Sequence, residues 1–234
     1  MSQKSPHSDR STVMQLSLAV MAIAALASSF TAHAQGLSDA EISRLKNYLF
    51  DELTKQNFVK LNRVTKQGEL SSCETEFQYV YRDVRARQGS PVVLTGSFSS
   101  TWTPGKLPSF MYKINAAEMN IKDTKWTVSA PPFINITVGK KSFKPYQSID
   151  FVCESGGRCV GYTDPKFDIN LAVVEALPFD ATISWSLSKD GLDNSVSLSE
   201  IGSRQQTRKA LDNFYECNME INNMLGEYLK SKSK

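Results

Sequence analysis

The run Cys73-Glu74-Thr75-Glu76-Phe77-Gln78-Tyr79-Val80-Tyr81-Arg82 alternates strictly in character. Cys73, Thr75, Phe77, Tyr79 and Tyr81 share one parity; Glu74, Glu76, Gln78, Val80 and Arg82 share the other. A strand sends successive side chains to opposite faces, so a period of two gathers the cysteine and the three aromatics on one side. The segment therefore predicts a strand whose aromatic face looks into a core, with Cys73 pointing inward beside those rings.

An inward cysteine needs a partner, and the other three cysteines limit the choice. Four cysteines allow three pairings. Cys153 and Cys159 flank Glu154-Ser155-Gly156-Gly157-Arg158, with apolar segments at 149–152 and 160–162 on either side, so Gly-Gly supplies the turn of a hairpin with a cysteine at each end of the loop. A bridge there would contribute roughly 2 kcal/mol on the loop-entropy estimate. That leaves Cys73 with Cys217. Closing a loop of about 145 residues is worth roughly 5 kcal/mol on the same estimate. Ala210, Phe214, Cys217, Ile221, Met224 and Tyr228 recur at spacings of four and three, which places Cys217 on the apolar stripe of a helix over 204–230. Ser203 and Gln206 offer that helix a capping box. A cysteine facing inward on each element predicts a helix stapled across a β core. Zinc is the competing use of these thiols, but a five-residue gap and no nearby histidine match no common ligand spacing, so no metal and no cofactor is expected.

The same geometry requires an oxidising compartment, and the N-terminus supplies a route to one. Lys4 and Arg10 lie in a polar leader, residues 14–27 are nearly all Leu, Ala, Val, Ile and Met, and Ala32-His33-Ala34 presents small residues at the positions a signal peptidase reads. Residues 1–34 thus read as a cleavable signal peptide. The apolar stretch, about 14 to 17 residues, falls short of the ~20 that a spanning helix needs, so no transmembrane segment is expected after cleavage. The Ala-rich leader points to bacterial export, to the periplasm or outside the cell. Residues 35–234 then form a single β-rich domain with terminal helices, as no Pro/Ser-rich linker or low-complexity run divides them.

Cleavage also alters the chemistry on offer. Of 27 basic and 24 acidic residues, Lys4, Arg10 and Asp9 leave with the leader, so the net charge falls from +3 to near +2. That is too small to imply nucleic acid as a partner. Both histidines, His7 and His33, leave too. Serine, cysteine or metal chemistry built on imidazole is then unavailable.

Elsewhere the pattern is mostly strand. Ser38 and Glu41 form a capping box before Ile42, Leu45, Leu49 and Leu53, predicting an amphipathic helix to about residue 56. Strands are expected at 58–65, 73–81, 92–102, 126–129 and 133–138, and residues 114–121 fit either a strand or a short helix. A short helix at 168–177 is stopped by Pro178, and a hairpin pairs 182–188 with 195–198 around Asp190-Gly191. Many short strands with helices at both ends predict a mainly β fold: a disulfide-stapled β-sandwich with an N-terminal helix and a long C-terminal helix packed on the sheet.

The C-terminal half carries a resemblance. Phe151-Val152-Cys153, a small Gly-containing loop, Cys159, a short helix, the strand at 183–187, and Val196-Ser197-Leu198 leading to a helix with Ala210-Leu211 resemble the invasion-associated locus B family over about 65 residues. Members of that family are exported bacterial β-sandwich proteins with a cystine loop of this kind. The resemblance implies an envelope-associated role and supplies no catalytic residue.

Each candidate functional residue also has a plainer explanation. Trp102, Trp126 and Trp185 could line a groove, yet each sits in an apolar strand pattern that reads as core. Lys140, Lys141 and Lys144 gather in what reads as a solvated loop. Arg82, Arg85 and Arg87 would occupy both faces of a continued strand, which argues for a turn or bulge near Asp83. Lys230, Lys232 and Lys234 make a basic tail that favours the negative end of the helix dipole. Asp164 and Asp168 could pair as acid and base in sugar hydrolysis, but their setting is that of a helix start. No catalytic residue is expected, and the reading is a non-enzymatic periplasmic or secreted protein binding another protein or an envelope component. The alternative is a histidine-independent hydrolase or transferase using carboxylate, Ser or Lys residues in a groove.

Overall fold

A computed structural model describes residues 38–233 apart from 86, 107, 121–124, 130–132, 139–140, 148–150, 154–158, 163–180 and 188–192. Several strand residues, Trp126, Lys141, Lys144, Cys153 and Cys159 among them, are described by backbone alone. The leader 1–34, the short helix expected at 168–177, and Asp164, Asp168, Lys140 and Lys234 lie outside the described residues.

The alternating segment is the middle of a long strand. Strand β2 (Glu69–Asp83) pairs antiparallel with β1 (Phe58–Lys66) on one side and β3 (Ser90–Thr101) on the other, so it is central. The β1–β2 turn is Gln67-Gly68, both with positive φ, 56° and 88°, which is the two-residue turn whose twist suits adjoining strands. Strand β4 (Ser109–Asn120) follows β3, so the ambiguous stretch at 114–121 resolves as strand. The outer edge of β4 is shared: 116–120 pair with β5 (Lys125–Ser129), and 111–113 pair with β9 (Cys159–Tyr162), which pairs in turn with β8 (Phe151–Cys153). A second antiparallel sheet has the order β11 (Asn194–Ser197), β10 (Ala181–Ser186), β6 (Phe133–Val138) and β7 (Lys141–Gln147). Lys141 and Lys144 thus belong to a strand, not to the solvated loop expected for them. The β-branched and aromatic residues around them, Ile136, Thr137 and Phe143, sustain the ladder through that segment.

The aromatic face of β2 is the floor of the core. Cys73, Phe77 and Tyr81 are buried there, with Val92, Leu94 and Phe98 of β3 and Ile114 of β4 beside them. Phe77 stands opposite Gly96, which leaves room for its ring to stack on the diagonal neighbour Phe98 at 5.8 Å. Two elements cover this floor. Over Tyr79 and Tyr81 lies Trp185 of β10, fully buried and edge-on to both rings at 6.0 and 4.9 Å. Over Cys73 lies the C-terminal helix α2 (Arg204–Lys232), joined to the sheet by a Cys73–Cys217 disulfide. Ile183 and Trp185 of β10 and Leu211, Phe214 and Ile221 of α2 enter the same core as the β2 aromatics.

The opposite face of the large sheet is covered as well. Helix α1 (Asp39–Thr54) starts with the expected Ser38–Glu41 capping box and lays Leu53 and Phe50 on Val80, Val93 and Ala117. Burying Leu53 to 3% exposure is worth roughly 2 kcal/mol. Arg82, on the same parity as Val80, places its guanidinium 4.2 Å from the Phe50 ring centroid. Helix α2 begins differently from expectation. Ser203 is its N-cap but makes no side-chain capping bond, so the Ser203–Gln206 box does not form. The anchor is instead Thr207, whose hydroxyl donates to the Ile201 carbonyl, while Gln206 turns outward. Among the described residues, no helix is long and apolar enough to cross a membrane.

Candidate binding groove

The termini of the sheet's strand order decide where a partner could reach backbone. Among the described residues β1 pairs only with β2, so its outer edge carries unpaired N–H and C=O groups. Register with β2 sets the faces: Val59, Leu61 and Arg63 stand opposite Phe77, Thr75 and Cys73 and so lie on the side that α2 covers. The helix crosses from this edge inward, and between the two runs a shallow groove of about 500 Å³. Val59, Leu61 and Ala210 give it an apolar floor; Arg63 and Lys209 give it charge, with Gln206 and Asn213 as polar contacts and Lys60 at its border.

Both ends of the groove are closed by specific contacts. At the Phe58 end, the link into α2 passes so near β1 that a Cβ on Gly202 would stand 2.5 Å from the Asn57 carbonyl oxygen, and its φ of +68° also demands glycine. At the other end Arg63 bridges to Glu220 of the helix, a pair with both side chains about half exposed. Lys60 turns to the other face and pairs with Glu76 at 2.7 Å. Lys209 is exposed and makes no ion pair among the described residues. The arrangement offers an open strand edge, a narrow apolar floor and positive charge, which suits capture of an extended chain and offers no nucleophile–base pair.

A second polar cluster caps the far end of β2. Strand β2 stops at Asp83, as the arginine pattern implied, and the turn is held by the Asp83 carboxylate accepting from the Arg87 amide at 3.1 Å. Arg85 pairs with Asp193 at 3.1 Å, Ser186 donates to the same carboxylate at 3.2 Å, and Arg87 pairs with Glu118. Arg85 ties the β2–β3 turn to Asp193 beside the second sheet and Arg87 ties it to β4, so these two arginines read as structural ties. Burial raises the Tyr81 hydroxyl well above the ordinary tyrosine range, against a smaller lowering pull from Trp185. Tyr79 is raised for the same reason, and secondarily by Glu200.

The remaining sequence candidates are dispersed. Trp102 and Trp185 are core residues, 6% and 0% exposed, and the Trp102 indole N–H donates to the Lys106 carbonyl at 3.1 Å. Trp126 lies in β5, opposite Met119. Lys230 and Lys232 sit in the last turn of α2, with Lys232 5.7 Å from the Tyr228 ring. Cys153 and Cys159 are direct partners in the β8–β9 ladder. Sequence reasoning named Gln206 as a cap and Ala210 on the helix stripe, and gave no groove residue a binding role. The available signal was the sequence of β1 itself, Phe-Val-Lys-Leu-Asn-Arg-Val-Thr-Lys, with three cations and no carboxylate. No family model, curated protein or solved structure matches the chain.

Proposed function

We propose that this is an exported, non-enzymatic binding protein, a disulfide-stapled β-sandwich that takes a protein or envelope component along the β1 edge and the groove beneath α2. The observation that carries this reading is the β1 edge, unpaired among the described residues, set against a groove with an apolar floor and the cations Arg63 and Lys209 beside it. The signal-like leader, the absence of histidine after residue 34 and the resemblance to the invasion-associated locus B family point the same way. Trp185 packed on the β2 tyrosines supports stacking of the two sheets as a sandwich. A carboxylate or serine hydrolase finds less support, because the groove lining contains neither residue type.

The test is a photo-crosslinking residue at Asn213 in the exported protein, with Tyr48 on the exposed side of α1 as control. A partner captured from Asn213 and not from Tyr48, which then binds the purified protein and slows amide exchange in β1, is the expected result. Identical capture from both positions, together with turnover of an envelope substrate by the purified protein, would replace this reading with the enzymatic one.

A further inference from the structure

Helix α2 carries a second stripe that its own packing does not use. Tyr215, Met219, Asn222, Gly226 and Leu229 recur at spacings of four, three, four and three, the repeat of a coiled-coil seam. The core stripe through Phe214, Cys217, Ile221 and Leu225 lies on another side of the helix, and none of the five joins the core cluster. Met219 and Leu229 are 37% and 54% exposed. Gly226 is the telling member. Glycine inside a helix costs stability relative to alanine. Here its φ is not positive, and a Cβ would meet nothing within 4 Å, so no contact among the described residues requires it. A close approach from outside the chain does.

We propose that this stripe is the seam of a twofold dimer of the chain, in which two α2 helices pack antiparallel. A twofold contact must complement itself. With Met219 against Leu229 of a second copy, Asn222 falls against Gly226 of that copy, and the register repeats itself under the twofold. Apolar thus meets apolar, and the amide enters the space that glycine leaves. On the solvent side of the seam, Glu216 falls beside Lys230 of the second copy twice over, and Asn223 beside its own equivalent. Glu216 and Lys230 are both exposed, and neither makes an ion pair among the described residues. Parallel helices would instead set Glu216 on Glu216 and Lys230 on Lys230, and would leave a gap where two glycines met. Packing and charge therefore select the same partner and the same orientation.

The dimer leaves the β1 groove open. Asn213 and Glu220, which face β1, lie about 150° around α2 from the centre of the seam. The seam runs about 21 Å from residue 215 to 229 at the helical rise. A contact of that length is at the small end of specific interfaces, which sets the expected dissociation constant at about 10 to 100 µM.

The experiment is sedimentation equilibrium of the exported protein from about 1 µM to 1 mM, a span that brackets such a constant. A monomer–dimer equilibrium is expected. Glu216→Lys alone and Lys230→Glu alone should each weaken it by about tenfold, because each sets two like-charged pairs across the seam, and the two together should restore it to within about twofold. Met219→Glu should leave a monomer with an unchanged circular dichroism spectrum. A chain that stays monomeric over the whole range overturns the proposal. So does a dimer that survives Met219→Glu, which would place the contact on another surface. A dimer indifferent to both single charge exchanges overturns it as well, since parallel helices keep like charges together before and after each exchange.

Discussion

Cys73 on the central strand and Cys217 on the C-terminal helix are joined by a disulfide, their Cα atoms 5.9 Å apart and 144 positions apart in sequence. Both are fully buried, and the bond lies where α2 passes from the groove side onto the core. Because the unfolded chain loses the entropy of so large a loop, the bond's contribution should approach roughly 5 kcal/mol. Replacing both, Cys73→Ala with Cys217→Ala, is expected to lower the unfolding free energy by about 2 to 5 kcal/mol, measured by denaturant titration under oxidising conditions. A loss below about 1 kcal/mol would mean that packing of Leu211, Phe214 and Ile221 alone holds the helix down.

The groove's closed end yields a contrast between two glycines. Gly202 and Gly68 both have positive φ, 68° and 88°, but a Cβ on Gly202 meets the Asn57 carbonyl whereas one on Gly68 meets nothing within 4 Å. Gly68→Ala should therefore cost about 1 kcal/mol, the left-handed penalty alone. Gly202→Ala should cost about 2 to 4 kcal/mol, because backbone must also move, and should speed amide exchange at the start of β1. Equal costs would show that α2 and β1 are not held in contact there.

Cys153 stands directly opposite Cys159 in the β8–β9 ladder. Non-reducing peptide mapping of the protein purified under oxidising conditions is expected to recover Cys153 linked to Cys159, with Cys73 linked to Cys217 and no crossed species. Direct opposition in an antiparallel pair brings Cβ atoms to about 4.5–5.5 Å, so a modest local adjustment suffices to close the bond. Recovery of free thiol at Cys153 and Cys159 would remove the second staple.

Much of this architecture was legible because it rests on short-range periodicity. The alternation at 73–82 located the core face of β2, and the four-and-three spacing around Cys217 located the helix that meets it. Both terminal helices start where expected, after Ser38 and at Arg204, as do β1 at Phe58 and β6 at Phe133. The covered back of the sheet was less visible, since nothing in the alternation announced that α1 lies against Val80 and Arg82. The groove was not legible at all. Its lining joins 59–63 to 206–213, residues brought together only by the tertiary crossing that the disulfide and Gly202 enforce. Gln206 illustrates the difficulty: local pattern assigned it to a cap, while in the folded chain it lines the groove.

The buried tyrosines make stability fall in alkali, and the sign can be worked out. An unfolded tyrosine ionises near pH 10. Burial raises Tyr81, and to a lesser degree Tyr79, so the folded chain holds these protons where the unfolded chain has released them. When the native state binds more protons than the unfolded state, the unfolding free energy decreases with rising pH. The contribution is thus complete below about pH 10 and is lost progressively above it, with Asp83 and Asp193 near Tyr81 adding to the shift and Arg87 opposing it. Unfolding free energy measured from pH 8 to 11.5 should fall steeply above pH 10, and Tyr81→Phe should flatten that fall while leaving the Trp185 packing in place. Tyrosinate absorbance near 295 nm should gain its last component only as the tertiary signal is lost. Parallel alkaline curves for the two proteins would show that Tyr81 ionises freely in the folded state, and with it that the Trp185 lid does not seal this end of the core.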